Sequence, residues 1–249
     1  MNGVFVTGTG TEIGKTVVAA AILRAARAAG IDAAPYKPVQ TGAIEGPAGR
    51  VAPDVEFSLA AADLKADADE ARLMAPRLYK PACSPHLAAR LEGRAVDIGE
   101  IVEAAGQLCR RREALIVEGA GGVMVPLSET QTTIDLMKAL GLPVVVTATD
   151  GLGTINHTLL TLAALRAANL DVLGVVFNRP EPAGELDEVD ELIRRDNPEI
   201  IARLGSTTVL GVLPYAAGLT DADGQAEAWA RIESGFSGMP TVLERLKTQ

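Results

Sequence analysis

The stretch Gly8-Thr9-Gly10-Thr11-Glu12-Ile13-Gly14-Lys15-Thr16 sets three glycines ahead of a lysine–threonine pair. It follows the apolar run Val4-Phe5-Val6 and precedes Val17-Val18-Ala19-Ala20-Ala21, so a strand leads into it and a helix leaves it. In that setting the N–H groups of a loop and of a helix start converge on phosphate oxygens, and the helix dipole favours the anion. Lys15 is expected at a surface-facing phosphate site, bridging the outer phosphates, with the Thr16 hydroxyl on Mg²⁺. Five residues separate Gly8 from Gly14, one more than the usual phosphate-loop spacing.

Other polar residues fall just beyond apolar runs. Lys37 follows Ala33-Ala34-Pro35-Tyr36, Glu118 follows Leu115-Ile116-Val117, and Asn178 follows a run ending at Phe177. Pro214-Tyr215 comes shortly after residues 208–210. If these runs are strands of one open α/β sheet, their carboxyl ends share the edge where such sheets bind ligands. Glu118 also heads Gly119-Ala120-Gly121-Gly122, glycines that let a ligand or another backbone approach a carboxylate. That pattern reads as an Mg²⁺ or nucleotide contact; the plainer alternative is a turn with an exposed Glu. Asp54 offers a further oxygen, since Mg²⁺ is usually held by one or two carboxylates plus phosphates. The chain has only two histidines, His86 and His157, and capping or packing suits them better than a metal pair. A Ser/His/Asp hydrolase is disfavoured because no G-x-S-x-G elbow occurs.

The elements needed to position these residues can be read from hydropathy. Runs at 3–7, 32–36, 114–117, 143–147, 173–177 and 208–210 read as strands, most of them continuously branched-aliphatic, as suits strands buried on both faces of a parallel sheet. Helical patterns cover 15–29, 99–110, 134–140, 154–168 and 188–204. The alternation predicts an α/β fold, a doubly wound, mostly parallel sheet with helices on both faces, in a single domain over 1–249. Residues 42–69 read as a long active-site loop followed by a helix. The tail after Tyr215 is weakly patterned, and 235–240 reads as mobile. With 23 Lys+Arg against 32 Asp+Glu, a net charge of −9 argues against sequence-independent nucleic-acid binding. Cys83 and Cys109 are too few for a disulfide framework or a four-thiolate site. No apolar segment has membrane-span length and no secretory leader is evident, so a cytoplasmic protein is expected.

At these residues the chain resembles the dethiobiotin synthetase family, ATP-dependent carboxylases of phosphate-loop NTPase fold that close the ureido ring in biotin synthesis. The matching stretches are FVTGTGTEIGKT, YKPVQTG, the Asp54 region, SPHLAA, VEGAGG, PLS, LGTINH, the Asn178 turn and GVLPY, in the family's order from about residue 3 to 215. The five-residue loop spacing is the family's own. The family often has Ser where this chain has Thr41, and the tail gives no convincing match.

The resemblance implies that one amine of 7,8-diaminopelargonic acid takes up CO₂ as a carbamate. ATP phosphorylates the carbamate, and the second amine attacks the mixed anhydride, giving dethiobiotin, ADP and phosphate. It also implies the site. Lys15 and Lys37 are catalytic. Glu12, Ile13, Gly14, Lys15, Thr16 and Val17 bind ATP together with Asp54, Glu118, Gly119, Ala120 and Gly121. Asn178 and Arg179 read the adenine, which Leu213, Pro214 and Tyr215 cover. Thr16, Asp54 and Glu118 hold Mg²⁺, and Thr11 and Thr41 bind substrate. Gly153, Thr154 and Asn156 form a helix start whose free N–H groups suit the substrate's carboxylate. In the family the partner subunit supplies that helix start, so a homodimer with shared sites is expected.

Three other phosphate-loop classes fit the sequence less well. Switch ATPases of the partitioning and septum-positioning kind carry a second lysine where this chain has Gly10. GTP-binding metallochaperones are only faintly echoed by Asn178-Arg179-Pro180-Glu181. Amidoligases of the cobyrinic acid type normally add a glutaminase domain, for which 249 residues leave little room.

Overall fold

A computed structural model describes residues 1–46, 49–182, 184, 187–221 and 224–247. The chain runs β1 (Gly3–Gly8), α1 (Lys15–Ala28), β2 (Ala33–Tyr36), β3 (Val39–Thr41), β4 (Ile44–Gly46), β5 (Gly49–Val51), α2 (Pro53–Ala61), α3 (Ala68–Met74), β6 (Arg77–Tyr79) and α4 (Pro85–Glu92). It continues α5 (Ile98–Leu108), β7 (Ala114–Glu118), α6 (Thr133–Leu140), β8 (Val144–Ala148), α7 (Thr154–Ala167), β9 (Val172–Asn178), α8 (Glu188–Leu204), β10 (Val209–Leu213), α9 (Gln225–Gly235) and α10 (Met239–Lys247).

The main sheet has the order β10-β9-β8-β1-β7-β2, and each pairing in it is parallel. The chain lays down β2 and β7 on one side of β1, then β8, β9 and β10 on the other. The carboxyl end of β1 therefore lies where the winding reverses, the usual ligand crevice of such sheets. Alternation along the strands supplies two cores. Val4, Val6 and Val145 face α1, α9 and α10, whereas Phe5, Val144 and Val146 face the layer carrying Ile101, Leu108, Leu136 and Leu165. Burial on both faces explains why these strands read as uninterrupted apolar runs.

Two sequence expectations are overturned. Residues 42–69 hold the expected helix, but no long loop precedes it. Their beginning forms the antiparallel β4–β5 hairpin, Ile44 opposite Val51, with Pro47 and Ala48 outside the described residues. Asp54 then lies in the first turn of α2, which Pro53 starts with its fixed φ and to which Asp54 and Glu56 bring charge suited to the dipole. Likewise 235–240 is packed, not free: Phe236 is buried and the Gly238 N–H donates to the Leu210 carbonyl at 2.6 Å. A Cβ at Gly238 would meet Leu210 Cα at 2.8 Å, so glycine is what lets this segment lie against β10. Strand β10 also extends beyond 208–210, to Leu213.

Candidate functional site

The phosphate loop is shaped by two left-handed residues, Glu12 at φ 60° and Gly14 at φ 88°. A Cβ at Gly14 would lie 2.0 Å from Asn178 Nδ2, so glycine is required there twice over. Helix α1 begins at once, with no side-chain cap and no acidic residue in its first turn. Its N–H groups and positive dipole end are thus left to an external anion. Asn178 Nδ2 donates to the Ile13 carbonyl at 3.0 Å, fastening the loop to the end of β9.

Lys15 departs from expectation. It is 6% exposed, and Nζ donates to the loop's own Gly10 carbonyl at 2.6 Å, so the cation is folded inward rather than surface-facing. Burial, followed by the charge of Lys37, lowers its pKa to about 8, against the opposing pull of Glu118 and Asp54.

Lys37, just past β2, is buried with Glu118 at the end of β7. Its Nζ lies 2.6 Å from Asp54 Oδ2, 2.7 Å from Glu118 Oε1 and 3.3 Å from the Gly119 carbonyl. The Thr16 hydroxyl donates to the same Glu118 oxygen at 2.9 Å. Burial alone would push Lys37 down, but Glu118 and Asp54 outweigh it and hold the ammonium above the ordinary lysine range. Burial also raises Glu118, with Lys37 opposing and Asp54 reinforcing the shift.

A cleft of about 710 Å³ is lined by Thr11, Glu12, Gly14, Lys15, Thr16, Lys37, Thr41, Asp54, Glu118, Ala120 and Gly121. Residues from both sequence-predicted sets, nucleotide and substrate, thus share one cavity. Gln40, Cys83 and Ser84 also line it; sequence reasoning gave them no role, although Gln40 lies in the YKPVQTG stretch and Ser84 opens SPHLAA. Ile13, Val17, Gly119, Asn178, Arg179, Leu213, Pro214 and Tyr215 are not in that lining. The Arg179 side chain is held by buried Asp150 through Nε and Nη2, both at 2.7 Å. Its N–H donates to the Leu213 carbonyl at 3.2 Å. Asn197, also unforeseen, braces this corner by donating to the Asp150 and Gly151 carbonyls at 2.8 and 3.0 Å.

Gly153, Thr154 and Asn156 stand apart from the cleft. Gly153 and Asn156 are exposed, and Thr154 is buried with its hydroxyl 3.3 Å from that of Thr158. The histidines share no site: His157 is exposed and His86 half-buried. Among the described residues no three His, Cys, Asp or Glu side chains cluster as a metal site. A cation here would rest on two carboxylates, one hydroxyl and phosphate oxygens, a hard-oxygen set of the kind Mg²⁺ takes.

A family model described as an AAA domain matches residues 2–223. The ATP-dependent dethiobiotin synthetase of Anaeromyxobacter dehalogenans (strain 2CP-1 / ATCC BAA-258) is 46% identical over 215 residues, covering 86% of this chain and 91% of the relative. That of Bacillus subtilis subsp. natto is 36% identical over 220 residues, covering 88% and 90%. The chain belongs to the ATP-dependent dethiobiotin synthetase family. Among solved structures, the MinD cell division protein of Aquifex aeolicus superposes with a TM-score of 0.55, covering 99% of this chain and 96% of that one at 12% identity. The septum site-determining protein MinD of Pyrococcus horikoshii OT3, complexed with Mg-ADP, gives 0.53 at 14% identity, covering 99% and 95%. At such identities the likeness is one of fold. This family member therefore shares the switch ATPases' architecture while its sequence kinship lies with the ATP-dependent synthetases.

Proposed function

We propose that the cleft carboxylates 7,8-diaminopelargonic acid with CO₂ and closes the ring at the expense of ATP, releasing dethiobiotin, ADP and phosphate. The observation that carries this reading is the convergence of Lys15, Lys37, Thr16, Asp54 and Glu118 on one cleft that also holds Thr11 and Thr41. Glu12 to Val17 bind the nucleotide phosphates, with Glu118, Gly119, Ala120 and Gly121 along the facing loop. Thr16, Asp54 and Glu118 hold Mg²⁺. When bound, the metal neutralises phosphate charge and fixes the γ-phosphoryl group. Asn178 retains hydrogen-bonding capacity beyond its bond to Ile13 and reads the adenine, with Arg179 and Leu213–Tyr215 around the base.

Chemistry in such a site is mainly positioning and charge stabilisation. Thr11 and Thr41 orient the diamine, and an amine that has lost its proton attacks CO₂. Lys37 stabilises the carbamate anion and the transferring phosphoryl group, while Lys15 tracks the outer phosphates. The second amine then attacks the activated carbonyl and phosphate leaves. The α7 start, where Gly153 and Asn156 are exposed and Thr154 is buried, serves the cleft of a partner subunit in a cytoplasmic homodimer. Its absence from the lining of its own chain's cleft supports that arrangement.

The test is turnover of diaminopelargonic acid with ATP, Mg²⁺ and ¹³C-labelled CO₂. Dethiobiotin labelled at the ureido carbon, with one ADP per ring, is expected. In Lys37→Gln, kcat should fall roughly 100-fold, the loss typical of one preorganised donor, with a much smaller change in ATP affinity. ATP hydrolysis without labelled ring product would overturn the reading.

A further inference from the structure

Lys37 is placed as though it were itself a ligated cation. Its Nζ is held by Asp54 Oδ2 at 2.6 Å, Glu118 Oε1 at 2.7 Å and the Gly119 carbonyl at 3.3 Å. The Thr16 hydroxyl closes the group through that same Glu118 oxygen. The two carboxylates and the Thr16 hydroxyl are the groups assigned above to Mg²⁺. A metal bound to them takes oxygen distances of about 2.0–2.1 Å and would lie against the ammonium. In a buried pocket two touching cations repel strongly, so the two occupants exclude each other. Resting on the assignment of Thr16, Asp54 and Glu118 to the metal, we propose that the Lys37 ammonium is the metal's placeholder. It fills the carboxylate pair until the metal–nucleotide complex displaces it toward the substrate.

The movement is confined to the side chain. The backbone of Lys37 is fixed, its N–H donating to the Met74 carbonyl at 2.7 Å and Pro38 following it, whereas the side chain is a flexible four-carbon stem. Lys37 already lines the cleft beside Thr11 and Thr41, so rotation out of the carboxylate pair keeps the ammonium in the same cavity. The consequence is an order of events. Lys37 is freed to compensate a carbamate's charge only after the phosphoryl donor has arrived. Held between Asp54 and Glu118, it keeps the buried Glu118 and the half-buried Asp54 compensated in the meantime.

The experiment uses Mn²⁺ as probe, with binding read by electron paramagnetic resonance in the absence of nucleotide. Lys37→Met should bind Mn²⁺ at least about tenfold more tightly than wild type, because the tethered competitor is gone. In wild-type enzyme the ¹⁵Nζ resonance of Lys37, assigned by its loss in Lys37→Arg, should be protected from water exchange. Mg²⁺ with a non-hydrolysable ATP analogue should speed that exchange several-fold. This second arm stands even if Lys37→Met does not fold. Unchanged exchange in the saturated complex, or unchanged Mn²⁺ affinity in folded Lys37→Met, overturns the placeholder. Glu118→Gln and Asp54→Asn keep the two readings apart. If neither weakens binding of the Mn²⁺–nucleotide complex, the metal assignment itself fails. If they weaken it while Lys37→Met gains nothing, only the placeholder fails.

Discussion

Asn178 Nδ2 and the Ile13 carbonyl, 165 residues apart in sequence, are joined by a buried hydrogen bond of 3.0 Å. It ties the carboxyl end of β9 to the left-handed turn of the phosphate loop. Asn178 thus sits between the proposed base region at β9–β10 and the proposed phosphate region at β1–α1.

Asn178→Ala leaves the Ile13 carbonyl without that partner at a buried position. An unsatisfied group of this kind costs about 1–3 kcal/mol, so the variant should melt several degrees lower. The slackened loop should also raise KM for ATP about tenfold or more while KM for the diamine changes little. Thermal melts together with both KM values check this; an unchanged KM for ATP would leave Asn178 with a purely structural role.

Lys15 sets a limb of the pH profile. With its pKa at about 8, the free enzyme loses this cation above that pH. The ratio kcat/KM for ATP should then fall tenfold per unit on the alkaline side, and in Lys15→Arg the limb should move out of range. Stability runs the other way. The folded value lies below the ordinary 10.5, so the charged lysine burdens the fold below about pH 8 and the burden lifts as pH climbs toward 10.5. Ligand-free Lys15→Met should therefore be more stable than wild type at pH 7, by up to about 3 kcal/mol, with the margin gone near pH 10.5. Denaturant titrations at both pH values read it directly.

Trp229 couples the tail to the site. It is fully buried, its ring 6.0 Å from that of Phe57 on α2 and beneath the Arg24 guanidinium at 5.0 Å. Phe57 lies one turn beyond Asp54, so α9 buttresses the helix that presents this carboxylate. Trp229→Ala should cost about 3–5 kcal/mol, and truncation after Tyr215 should abolish folding. A stable, active truncated chain would contradict the packing described here.

Sharing of sites between subunits is tested by mixing Lys15→Ala with Asn156→Asp. The new carboxylate suits the helix dipole and spares the fold while repelling a substrate carboxylate. In a mixed dimer one site carries both defects and the other neither, so activity should return to about half of wild type per mixed dimer. No recovery, with subunit exchange verified, would confine each site to one chain.

The phosphate loop was legible because its glycines and Lys-Thr pair fall within one short stretch, residues 8–16, and the strands because covered faces demand continuous apolar runs. The start of helix α2 ahead of Asp54 was not, because the helix serves two environments. Val55 and Leu59 join one core and Ala61 the other, so no single stripe appears. The tail helices were obscure for a related reason: Trp229 finds its partners Phe57 and Arg24 only in the folded chain. Residue type alone marked Asp54. Its contact with Lys37 depends on where Pro53 starts α2, and the inward fold of Lys15 depends on the Gly10 carbonyl, which no motif spacing encodes.

The most direct test is a crystal structure with Mg²⁺, a non-hydrolysable ATP analogue and diaminopelargonic acid under CO₂. A γ-phosphoryl group contacted by both Lys15 and Lys37 is expected, with a carbamate oxygen within hydrogen-bonding distance of Lys37 Nζ. A diamine bound outside this cleft, or a γ-phosphoryl group that Lys37 does not reach, would contradict it.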